Sequence, residues 1–144
     1  MNRRAVVRSV AAAAASVGVA GCPRPGGTAD GSVLGAVAVA NLDDEAHAVE
    51  FRVEWDGEVV HGSTHRLEKR SGANGTAPER TWPDAPGRFV VSARLRGEEW
   101  RSVDPADAGY PDCFGVVVEV SGSGRLGIFT SHDEYECSEE AIEG

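Results

Sequence analysis

The 144-residue sequence contains a single lysine, Lys69, and a single methionine, Met1. Its 14 basic residues never gather four or more together, and the densest patch, His65 to Arg70 (HRLEKR), is interrupted by Glu68 and reads as a solvated strand end. A nucleic-acid binder needs a basic face to displace counterions from phosphates, so nucleic acid is excluded as a partner. The most apolar run, Val10 to Ala20, falls well short of the roughly 20 residues that span a bilayer as a helix. Nowhere do ten residues sustain a period of 3.6, so helix has little support.

Catalytic patterns are equally sparse. There is no G-x-S-x-G elbow, and Ser63 and His65, which share one face of a predicted strand, have no residue in the pattern to orient the histidine. His61 and His65, four apart on the same strand, lie about 13 Å apart along an extended chain and need a third element to chelate one ion. His132, Asp133, Glu134 and Glu136 offer the oxygen ligands that suit calcium, but without the D-x-[DN]-x-[DN]-G loop they read as solvated surface. The expectation is a protein that is not an enzyme, with no catalytic residue, no metal and no cofactor.

What the chain does have is acid. It carries 23 acidic residues against 14 basic ones, a formal charge of −9. Such an imbalance destabilises a compact state by self-repulsion, which molar salt screens by shortening the Debye length to about 3 Å.

Basic charge is concentrated at the start. Arg3, Arg4 and Arg8 precede the short apolar run, and small residues lead to Cys22. Charge, a short apolar region and small residues form the pattern of an export signal, and the arginine pair specifies the twin-arginine route. NRRAVVR resembles the twin-arginine consensus, with Val6 where an aromatic or leucine is usual. VAGC, Val19 to Cys22, resembles the lipobox of exported lipoproteins, in which a diacylglyceryl thioether forms on the cysteine and the chain is cut before it. The resemblance implies that residues 1–21 are a lipoprotein signal peptide and that Cys22 is the lipidation site. At about 0.8 kcal/mol per buried methylene, two acyl chains hold a protein firmly to a membrane. Removing Arg3, Arg4 and Arg8 leaves 11 basic against 23 acidic residues, a formal −12. This acid-rich, lysine-poor composition is similar to that of haloarchaeal exported lipoproteins.

Those lipoproteins include small blue-copper sandwiches, whose site needs two His, a Cys and usually an axial Met. Met1 is lost on processing, and Cys113 is followed by FGVVVEV, with no histidine close downstream. Blue copper is excluded.

Residues 22–32, the lipidated cysteine and PRPGGTADGS, read as a flexible tether. From Val33 onward, short segments of period 2 alternate with turn residues, the pattern of an all-β sandwich or barrel. Predicted strands are Val33 to Asn41, His47 to Trp55, Glu58 to Leu67 and Arg88 to Leu95. A turn near Gly97 leads to a short strand through Trp100, and Cys113 to His132 forms a hairpin around Gly122 to Gly124. In the second segment Val49, Phe51, Val53 and Trp55 share one face while Glu50, Arg52 and Glu54 share the other, as in a half-buried antiparallel strand. Asp56-Gly57 favours a two-residue hairpin turn. TWPDAPGRFVVSARL, Thr81 to Leu95, resembles the loop and central strand of immunoglobulin-like and related sandwich modules of secreted proteins. The expected fold is an immunoglobulin-like antiparallel β-sandwich of about seven strands over residues 33–137, followed by an acidic tail, 138–144.

With Cys22 lipidated, Cys113 and Cys137 remain as an even pair in an oxidising compartment, which favours a disulfide. Asn74-Gly75-Thr76 is a sequon, making Asn74 a candidate N-glycosylation acceptor on a surface loop. Of three tryptophans, Trp55 reads as core, and Trp82, in a loop beside Pro83, as the most exposed aromatic and a candidate ligand contact.

Together these readings point to a non-catalytic interaction or structural module, held to the outer face of the cell membrane by its lipid and meeting another envelope protein. The alternative is a solute- or ion-binding accessory lipoprotein of the envelope.

Overall fold

The structure, a computed structural model, describes residues 31–109, 111–132 and 134–138. The expected signal peptide, Cys22, most of the tether and the tail beyond Ser138 lie outside the described residues.

The alternating segments become strands because their apolar face can be buried. In chain order they are β1 (Val33–Asn41), β2 (His47–Trp55), β3 (Glu58–Leu67), β4 (Gly75–Thr76), β5 (Phe89–Leu95), β6 (Arg101–Val103), β7 (Cys113–Val120) and β8 (Leu126–Ser131). One 3-10 turn, Pro105–Ala108, precedes β7 and another, Glu134–Cys137, follows β8. Two four-stranded sheets form a sandwich, ordered β4-β1-β7-β8 and β3-β2-β5-β6. The all-β sandwich expected from the sequence is the fold observed, with the two-residue β4 as an eighth strand.

All pairings are antiparallel except one: β1 runs parallel to β7, with Val37 opposite Val116 and Val39 opposite Val118. The first and last parts of the domain thus meet in the middle of one sheet. The β2–β3 turn is the two-residue kind its sequence favours, Asp56 and Gly57 having φ of 48° and 87°. Gly97 likewise turns at φ 88°, but β6 starts after Trp100, so this tryptophan precedes the strand expected to contain it.

The core lies between the sheets. Phe51, Val53 and Phe89 from one sheet and Leu34, Phe114 and Val118 from the other are fully or almost fully buried. Phe89 and Phe114 meet edge to face across the interface at 6.1 Å. Each such side chain contributes about 1.5–3 kcal/mol through area removed from water.

A covalent tie fastens the end of the domain. Cys113 at the start of β7 is disulfide-bonded to Cys137, with Cα atoms 5.9 Å apart and a sequence separation of 24. Closing a loop of that size is worth about 3 kcal/mol in the chain-entropy model. The turn Glu134–Cys137 lies directly on β1 and β7. A Cβ at Gly35 would run into the Glu136 carbonyl, so glycine is required there for the two layers to meet, whereas one at Gly115 would displace the flexible Glu136 carboxylate.

Candidate functional site

The open long edge of the sandwich, between β3 and β1, is closed by the loop from β3 to β5. Pro83 and Pro86 stiffen this loop, and Trp82 fills the edge. Trp82 is 5% exposed, and its indole N–H donates to the Leu34 carbonyl at 3.1 Å. Its expected role as an exposed ligand contact is therefore overturned. The loop crosses from one sheet to the other, and its large apolar side chain plugs the gap.

Along β3, alternate side chains His61, Ser63 and His65 face this edge, His61 buried and the other two half-buried. His61 packs edge-on against Trp82 at 5.3 Å and Phe51 at 5.5 Å. Its Nδ1 lies 2.6 Å from Thr81 Oγ1, and its Nε2 lies 2.8 Å from Ser63 Oγ. Ser63 Oγ is also 2.8 Å from His65 Nε2. The sequence spacing sets these histidines about 13 Å apart along an extended strand, and Ser63 is what bridges them. Their Cα positions are separated by the strand's rise, but both rings lean inward along the strand to the same hydroxyl.

Proton positions follow from the partners. Thr81 Oγ1 donates its hydrogen to the Val60 carbonyl at 3.2 Å, so it accepts from His61 Nδ1–H. The neutral His61 ring then accepts at Nε2 from the Ser63 hydroxyl, and Ser63 Oγ accepts from His65 Nε2–H. Burial pushes the His61 imidazolium pKa down, the neighbouring His65 lowers it further, and the charge of Glu79 opposes both. Burial also pushes His65 down. Ser63 and His65 thus pair as their spacing allowed, and the residue that orients a histidine in the chain is Thr81, from the far loop.

The outer face of the other sheet has a different chemistry. Val117 and Phe129 stand opposite one another in register and are 40% and 57% exposed. Beside them, alanines of β1, including Ala38 opposite Val117, line a shallow groove of about 440 Å³ with Glu136 at one end. Among the described residues Glu136 is the one charged side chain that lines this groove, in a chain with a charge of −9.

A third cluster was not anticipated from the sequence, although DDEAH, Asp43 to His47, carried its residues. Ligand atoms of Asp43, Glu45 and His47 lie within 4.8 Å of one another, and Asp43 Oδ2 is 2.7 Å from His47 Nε2. Hydrogen bonds from His47 and from the Asp44 backbone hold the Asp43 carboxyl below its usual range.

The remaining sites are dispersed. Asn74 is half-buried, and its carboxamide donates to the Asn41 carbonyl at 3.0 Å. Trp55 is half-buried against the core cluster. Trp100 packs against two guanidinium groups, Arg52 at 4.4 Å and Arg94 at 4.5 Å, and Arg94 also pairs with Glu50. His132 is exposed at the surface, Glu136 is tucked over Gly35 and Gly115, and Asp133, which completes the expected acidic stretch with Glu134, lies outside the described residues.

Comparison of the chain with protein-family models, with characterised proteins and with solved structures finds no match.

Proposed function

We propose that this protein is a lipid-anchored extracytoplasmic surface protein of a haloarchaeal envelope, whose sandwich is a non-catalytic interaction module. The supporting observation is the exposed, apolar face around Val117 and Phe129. In a chain dominated by carboxylates, a groove whose described lining carries one charge, Glu136, is a surface on which a partner docks without desolvating many charges. The anchor resemblance at Cys22 and the tether that follows it place such a face outside the membrane, within reach of a neighbouring envelope protein. The partner is accordingly a protein with a complementary apolar ridge.

The experiment is capture from a solubilised envelope extract in high salt with the mature protein, alongside Phe129→Asp. Phe129 is more than half exposed, so the substitution spares the fold. A partner enriched by the native protein and lost with Phe129→Asp supports the module. No enrichment, or enrichment indifferent to Phe129, contradicts it.

A second reading, an ion-binding accessory of the envelope, is favoured by one observation: the meeting of two imidazole nitrogens at Ser63 Oγ.

A further inference from the structure

Four features have side chains assembled well enough to act: the apolar groove, the Arg52–Trp100–Arg94 stack, the Asp43–Glu45–His47 cluster and the His61–Ser63–His65 edge. The arginines of the stack are engaged with Trp100 and, for Arg94, with Glu50. In the Asp43–Glu45–His47 cluster there is a single imidazole, His47, and it is already paired with Asp43. At the β3 edge two imidazole nitrogens from separate residues are both hydrogen-bonded to Ser63 Oγ and so converge on a single hydroxyl.

We infer that His61, Ser63 and His65 form a binding site for one divalent metal ion of the zinc class, a borderline cation that prefers imidazole nitrogen. The inference rests on the ion-binding reading and names its ion and its residues. Both Nε2 atoms already lie on a sphere of 2.8 Å radius around Ser63 Oγ. Zinc binds histidine nitrogen at about 2.0–2.1 Å, so on binding both rings turn toward an ion lying beside the hydroxyl, and His65 carries its proton on Nδ1 instead of Nε2 to free the ligating lone pair. Ser63 Oγ then turns a lone pair to the ion as a third, weaker donor.

The surroundings fit that role. A ligating histidine normally donates its other ring N–H to a fixed acceptor, which sets the tautomer and aims the free nitrogen. Thr81 provides that acceptor for His61, and Thr81 is itself fastened to the Val60 carbonyl. Trp82 and Phe51 hold the same ring from the side. Glu79 lies on the covering loop, and its negative charge acts on His61, which favours a cation. β3 is the terminal strand of its sheet, and Ser63 and His65 are only half-buried, so an ion has a way in. The donor set argues for the class: calcium and magnesium take oxygen ligands, and a thiolate-dependent copper centre has no thiol here, because Cys113 is in the disulfide.

The test uses the full chain without a histidine tag and with Cys22→Ser, which removes the only cysteine outside the disulfide. Zinc uptake is followed by calorimetry and cobalt(II) uptake by its visible absorption, with thermal melting as a check on folding. The native residues bind one ion per chain. Thr81→Val, which removes the acceptor that aims His61 together with that hydroxyl's own bond to the Val60 carbonyl, weakens binding by about 10-fold, and His65→Ala weakens it by more. His47→Ala leaves it unchanged. If neither ion binds, this site and the ion-binding reading both fall. If binding survives His65→Ala but is lost with His47→Ala, the ion-binding reading stands, the ion belongs to the Asp43 cluster, and the site inferred here is overturned.

Discussion

The Nδ1 atom of His61 and the Oγ1 atom of Thr81, twenty residues apart in sequence, are 2.6 Å apart at the edge of the sandwich. This one contact ties the covering loop to β3 and sets which nitrogen of His61 faces Ser63. Both the stability of the edge and its chemistry depend on it.

Trp82 is the largest apolar side chain in that loop, and its burial makes it structural. Trp82→Ala lowers unfolding free energy by about 3–5 kcal/mol in urea denaturation, the range for an aromatic removed from a packed site. Trp82→Phe keeps most of the packing, loses the bond to the Leu34 carbonyl, and costs about 1–2 kcal/mol. A ligand-contact residue would behave oppositely, with stability unchanged on truncation.

Two glycines predict contrasting outcomes. At Gly35 an added Cβ meets backbone of the turn Glu134–Cys137, which the disulfide prevents from moving far. Gly35→Ala therefore destabilises the domain by more than about 2 kcal/mol, comparable to overpacking a core. Gly62 on β3 has nothing within 4 Å of its Cβ position, so Gly62→Ala changes stability by less than about 0.5 kcal/mol. Thermal melts of the two variants measure the difference.

The histidines set a pH dependence. Folding lowers the pKa of His61 and His65 below the ordinary value of 6.5, so between the folded and unfolded values the unfolded chain binds more protons. Stability is then complete above 6.5 and is lost as pH falls through the folded pKa values. Asp43, lowered from 3.8, adds a further loss as pH falls below that value. Denaturation midpoints in a chelator should decline from pH 7 to pH 5. Substituting both histidines with glutamine should flatten this part of the profile.

Much of this architecture was legible along the chain. β1, β2 and β3 have the limits their alternation implies, because a half-buried strand declares its two faces residue by residue. Asp56-Gly57 and Gly122 to Gly124 marked both hairpins for the same local reason. Non-local features were hidden. The parallel match of β1 with β7 depends on which strands meet in space. Trp82 looked exposed because it follows a loop and precedes Pro83, while its burial is decided by Leu34 and Phe51, far away in sequence. The turn Glu134–Cys137 was taken into the domain without its seat on Gly35 and Gly115 being foreseen. Strand spacing gave the distance between His61 and His65 along the backbone but not the lean of their rings, and Thr81, which orients one of them, lies twenty residues away.

Salt tests the acidic surface. The mature chain expected after cleavage carries a formal −12, and its carboxylates repel one another across lengths that about 0.1 M salt screens poorly and about 1 M salt screens well. Melting temperature should rise across that range of potassium chloride. A flat or falling trend would show that self-repulsion does not limit this fold.

The central claim, an exported module anchored through Cys22, is tested most directly by the intact mass of protein extracted from its native membrane, with and without reduction. The account predicts a chain beginning at Cys22, heavier by a diacylglyceryl group and gaining about 2 Da when the Cys113–Cys137 bond is reduced. No hexose-scale addition is expected at Asn74, whose carboxamide is engaged with Asn41. A chain that retains Met1 to Gly21, or one cleaved but carrying no lipid, would contradict the anchor and with it the proposed place of the module at the cell surface.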